Sequence, residues 1–108
     1  MRVKIDNAEF SRRQELLLQE IAQTAIAIVE GAGVPSKRRR DVVETITFQI
    51  TAIIDGSRVM DGGELRPYLT FADNDERTRL VATEGGSYMH ELAHKVIAEL
   101  IDPKSQRR

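Results

Sequence analysis

The chain has no cysteine. That absence removes disulfide frameworks, thiolate zinc sites and cysteine nucleophiles together. It suits a reducing compartment, so the cytoplasm is the expected location. Long apolar runs are also missing. The most apolar stretch, Ile21 to Val29, is far short of the roughly 20 residues a membrane-spanning helix needs. The opening residues, Met1 to Asp6, are not followed by an apolar signal core. No membrane association is expected. An excess of positive charge is missing too: the formal net charge is −1. Residues 1–54 carry 8 basic and 7 acidic groups, and residues 55–108 carry 8 and 10. Neither half is basic, which argues against nucleic acid as the partner.

At 108 residues and 41% hydrophobic content, the chain has the size and composition of one domain with one core. Residues 8–30 carry apolar side chains at helical spacing: Phe10, Leu17, Ile21, Ala25 and Ile28, widened by Leu18, Ala22 and Val29. Asp6 is placed to cap this helix, with Glu9 three residues on in the manner of a capping box. Gly31 is its expected stop. Such a helix is about 35 Å long. That is long for so small a domain, and a second subunit is expected to cover part of its apolar face.

Ser36 is the expected cap of a second helix running to about Ile54, with Val43, Ile46, Ile50 and Ile53 as its inward stripe. The same segment, residues 42–54, is rich in Val, Ile and Thr and alternates from Thr45 to Thr51, so it also reads as a strand. The bracketing Ser and Gly favour the helix. Asp61-Gly62-Gly63 reads as a loop. Leu65 to Ala72 and Arg77 to Thr83 read as two strands joined by the polar turn Asp73-Asn74-Asp75-Glu76. Ser87 is placed to cap a last helix from Tyr88 to about Ile101, which Pro103 stops. The expected fold is therefore α+β. It is a two-layer domain of helix, helix, β-hairpin and helix over residues 1–108, with residues 1–6 and 103–108 as frayed termini. The alternative is a helix, a three-strand antiparallel meander and a helix.

Histidine is scarce, and its placement stands out. The two histidines, His90 and His94, are four residues apart in His90-Glu91-Leu92-Ala93-His94. On a helix this spacing puts both imidazoles on one side, at the border of a core face made by Met89, Leu92, Ala93, Val96 and Leu100. The pattern resembles that of the zincin metallopeptidases. The resemblance covers five residues. It implies His90 and His94 as zinc ligands and Glu91 as the general base for an attacking water. The order of a helix, strands and then the motif helix is also that of the zincin N-terminal half. The chain departs from the family in two ways. Lys95 follows the second histidine where an uncharged residue is usual, and no third histidine lies downstream. A third ligand must come from Glu84, Asp73 or Asp61, or from another subunit. Without metal, His90 serves the first turn of its helix and His94 packs at the rim of the core.

Lys37, Arg38, Arg39 and Arg40 stand together at the start of the second helix. With that helix end they form a candidate anion-binding cluster. Two functions remain open. The first is a small intracellular binding or regulatory module, without a cofactor, that acts through a protein partner or as a homodimer. The second is a zinc-dependent peptidase or hydrolase built on His90, Glu91 and His94.

Overall fold

A computed structural model describes residues 2–57, 63, 66–73 and 79–101. The chain is α+β, with three helices and a small mixed sheet. Strand β1 is Arg2–Ile5, helix α1 Asn7–Gly31, helix α2 Ser36–Ile54, strand β2 Phe71–Ala72, strand β3 Arg79–Ala82 and helix α3 Met89–Ile101. The expected order of helix, helix, hairpin and helix is present, with one strand added in front.

The first six residues were expected to fray. Instead Arg2 to Ile5 pair in parallel with β3, Arg2 opposite Arg79 and Ile5 opposite Ala82. The sheet order is β1-β3-β2, with β2 antiparallel to β3, so the sheet is mixed and not the antiparallel meander. The paired strands are shorter than their sequence patterns. Residues 66–70 have no regular structure, while Leu65, Asn74 to Glu76, Arg77 and Thr78 lie outside the described residues, as do Asp61 and the tail. The hairpin joins α1 through aromatic and ionic contacts. Phe71 meets Phe10 edge to face at 5.2 Å. Arg13 donates to Ala72 O at 2.7 Å and, like Arg79, pairs with Asp73.

Asp6 caps α1 as expected, accepting from the Glu9 N–H at 3.0 Å. The reciprocal half of the capping box is absent. The Asp6 N–H goes to Ala82 O of β3, and the Glu9 carboxylate turns to Arg12 and Arg13, each at 2.7 Å. Those two hydrogen bonds, Arg12's first, hold the Glu9 carboxyl down from 4.5 to about 2. The Arg12 guanidinium is raised in turn by Glu9.

Helices α1 and α2 end in the same way. Val34 N–H bonds Val29 O, Gly33 N–H bonds Glu30 O, and Gly33 takes φ 75°. Ser57 N–H bonds Ala52 O, Gly56 N–H bonds Ile53 O, and Gly56 takes φ 74°. Both are glycine-terminated Schellman ends. Residues 42–54 are helix throughout. Their threonines fit because Thr45 and Thr51 bond back to the carbonyls of Asp41 and Thr47. Ser36 is the first helical residue and not the cap. Pro35 occupies the cap position, and no side chain bonds the helix end.

The helices pack on one another around Leu18, Ala22, Ala25 and Val29 of α1, Val43 of α2, and Met89, Ala93, Val96 and Ile97 of α3. The spacing placed Phe10, Leu18, Ala22, Ala25, Val29 and Val43 in the core correctly, and Ile28, Ile50 and Ile53 incorrectly. On α1 the buried side is Phe10, Gln14, Leu18, Ala22, Ala25 and Val29, and Ile28 is 62% exposed. On α2 it is Val43, Thr47, Thr51 and Ala52, and Ile50 and Ile53 are exposed. On both helices the core takes in a polar residue, Gln14 or Thr47, while Ile28, Ile50 and Ile53 stay outside it.

Candidate functional site

The end of α2 lies over the beginning of α3, and Asp55 makes the junction. Its Oδ1 accepts from Ser87 Oγ at 2.5 Å. Its Oδ2 accepts from the His90 N–H at 2.7 Å and lies 2.6 Å from His90 Nδ1. The Asp55 side chain is fully buried. A carboxylate at a helix N-terminus satisfies an orphan N–H and meets the positive end of the dipole. Here that carboxylate comes from the preceding helix. Ser87, expected to cap α3, orients Asp55 instead. On the other side, Gln14 Oε1 accepts from the Tyr88 N–H at 3.1 Å. The start of α3 is thus fixed to both other helices.

Because a carboxylate only accepts, His90 donates through Nδ1 and keeps Nε2 for other partners. Phe48 and the imidazole meet edge to face, with ring centroids 5.7 Å apart. One turn on, His94 Nδ1 is 3.1 Å from Glu44 Oε1, which also pairs with Arg40. His94 is far more open, with its side chain 78% exposed. Both histidines line a groove of about 350 Å³ between α2 and α3, with Glu44, Thr45, Phe48, Gln49 and Ala93. Glu91 is exposed and is not part of that lining.

This donor set falls short of a catalytic zinc site. Such a zinc takes three protein ligands. Among the described residues, no group of three or more His, Asp or Glu side chains could hold a metal ion. Asp73 is engaged by Arg13 and Arg79. Glu84 is an exposed residue outside the groove lining, and Asp61 lies outside the described residues. No hydrolytic step through zinc follows from these residues.

A serine nucleophile fares no better. Ser57 Oγ is 3.5 Å from both nitrogens of His90. Equal distances put the hydroxyl beside Cε1 or over the ring, off the Nε2 lone-pair axis that a general base uses.

The basic cluster does not converge on one point. Arg39 Nε donates to Val34 O at 2.7 Å, and Arg40 pairs with Glu44. Lys37 and Arg38 are exposed.

A second groove runs along the other side of α2, against α1. It holds about 300 Å³ and is lined by Ile21, Ala25, Ile28, Ile46 and Ile50, with Thr24 and Glu20. The spacing pattern assigned its apolar residues to the core; of these Ala25 is buried and Ile46 packs against the core, while Ile28 and Ile50 are exposed. Asp55, Glu44 and Phe48 had no local signal marking them as neighbours of the histidines.

Compared with known proteins, the chain matches no protein-family model, no curated protein and no solved structure. Among the described residues, no helix is long and apolar enough to cross a membrane.

Proposed function

We propose that the chain is a small binding or regulatory module that acts through a protein partner, received on the outer side of α1 and α2. One observation supports this reading above the others: polar side chains are buried on these helices while isoleucines on them stay exposed. Gln14 and Thr47 are fully buried, and Gln14 Nε2 and Thr47 Oγ1 have no hydrogen-bond partner. Ile28, Ile50 and Ile53 face outward on the same two helices. A buried polar group and an exposed apolar patch are the informative departures from ordinary burial. Together they describe a surface that a protein face covers when the module works. The cysteine-free composition suits work in a reducing compartment.

Replacing Ile28 or Ile50 by aspartate tests the reading. Both side chains lie outside the buried core, so unfolding free energy is expected to change by no more than about 0.5 kcal/mol, while association through this face is lost. Unfolding of both variants would place the two isoleucines in the core and remove the reading.

The zinc hydrolase remains the alternative function. It requires a third ligand for His90 and His94 from Asp61 or from another subunit. Stoichiometric zinc in protein prepared without a histidine tag, lost in His94→Ala, is the result that would favour it.

A further inference from the structure

We infer that His90 and His94 together bind one divalent transition-metal ion through their Nε2 atoms, in an open, exchangeable site completed by water. The inference does not rest on the docking surface of α1 and α2. It carries no hydrolytic step, since two imidazoles leave out the third ligand that a catalytic zinc takes.

The first ground is the state of the two rings. His90 Nδ1 lies 2.6 Å from Asp55 Oδ2, and His94 Nδ1 lies 3.1 Å from Glu44 Oε1. A carboxylate only accepts. Each ring, when neutral, therefore carries its proton on Nδ1 and presents the lone pair of Nε2. A metal-binding histidine almost always gives its other ring nitrogen to a carboxylate, a carbonyl or water. That partner fixes the tautomer and the ring plane, and raises the basicity of the ligating nitrogen. Both histidines of the chain have such a partner, and both keep the same nitrogen for a metal.

The second ground is placement. Four residues apart on α3, the two side chains stand one turn apart on the same side, with Cβ atoms about 6 Å apart. Both line the groove of about 350 Å³ between α2 and α3. That space admits an ion with its water. His90 is the fixed member, because the fully buried Asp55 also accepts from Ser87 Oγ and from the His90 N–H. His94 is the adjustable one, with its side chain 78% exposed.

The third ground is what the surroundings leave over. Glu44 Oε1 is shared between His94 and Arg40, so Glu44 is a positioning residue. Among the described residues, no group of three His, Asp or Glu side chains could hold an ion. The other coordination positions fall to water, which makes the metal exchangeable. Imidazole suits copper, nickel and zinc, while magnesium and calcium take oxygen ligands.

Isothermal titration of the full chain, made without a histidine tag, with copper(II), nickel(II) and zinc tests this. One equivalent is expected to bind, copper more tightly than nickel or zinc, with no response to magnesium. Electron paramagnetic resonance of the copper complex should show two imidazole nitrogens. Glu44→Gln keeps both histidines, and about ten-fold weaker copper binding is expected. His94→Ala should weaken binding further and leave one nitrogen. Circular dichroism establishes that both variants are folded. Copper that does not saturate the chain below about 1 mM, or binding that His94→Ala leaves unchanged, overturns the inference. The wild type should lose its metal on dialysis and take it up again on addition. Metal retained through dialysis would overturn the open site and point to the three-ligand site of the hydrolase reading.

Discussion

Asp55 at the end of α2 caps α3 through His90, taking both its backbone N–H at 2.7 Å and its ring Nδ1 at 2.6 Å. The two residues are 35 positions apart in sequence. The first histidine of the His-Glu-x-x-His pattern is therefore already engaged in holding two helices together. The second histidine is a surface residue beside Glu44. The two rings share a groove but differ in burial and in structural weight.

Removal of the carboxylate should be costly. Asp55→Ala strips the cap from α3 and leaves Ser87 Oγ and the His90 N–H without their acceptor. A loss of about 2–4 kcal/mol in unfolding free energy is expected from a lost cap and lost charged hydrogen bonds together. Urea denaturation followed by circular dichroism measures it. A change below about 0.5 kcal/mol would mean that the junction is not structural.

The two histidines should separate in the same assay. His94→Ala removes a side chain that is 78% exposed and its surface contact with Glu44, and such contacts contribute little, so a change within about 0.5 kcal/mol is expected. His90→Ala removes a half-buried ring held by Asp55 and Phe48 and should cost more than His94→Ala. Equal costs at both positions would count against the distinct roles.

Zinc content discriminates in a different way. With two imidazoles and no third ligand among the described residues, protein prepared without a histidine tag is expected to contain zinc well below one equivalent. One equivalent that survives dialysis and disappears in His94→Ala would show a complete site.

Acid should act on the N-terminal end of α1. The Glu9 carboxyl is depressed to about 2 from 4.5, so its folded value lies below its unfolded value. The contribution of its pairing with Arg12 and Arg13 is complete above pH 4.5 and disappears as pH falls through about 2. In Glu9→Gln this contribution is absent at every pH. The stability curves of the two proteins should therefore differ at neutral pH, more at low salt than at high, and converge in acid. Curves that stay parallel down to pH 2 would rule the pairing out as the cause.

Much of the fold was legible from local signals. Asp6, the glycines after each of the first two helices and the apolar periodicity located α1 and α2 closely. The strand β1 was not, because four residues acquire strand structure only by pairing with Arg79 to Ala82, far along the chain. The core faces were read only in part: Phe10, Leu18, Ala22, Ala25, Val29 and Val43 are buried as expected, but Ile28, Ile50 and Ile53 are not. Periodicity cannot say which apolar residues stay outside when Gln14 and Thr47 are among those buried. The histidine pair was visible at once, since four-residue spacing is local. Its environment was not, because Asp55 and Glu44 reach it from another helix.

The exposed isoleucines that spacing assigned to the core, Ile28, Ile50 and Ile53, are the feature on which the proposed function rests. Fluorescence of an apolar dye with the wild-type chain beside Ile50→Asp tests it most directly. Dye binding in the wild type and its loss in a folded variant is the expected pair of results. A wild-type chain that binds no dye, or a variant that binds it equally, would contradict it.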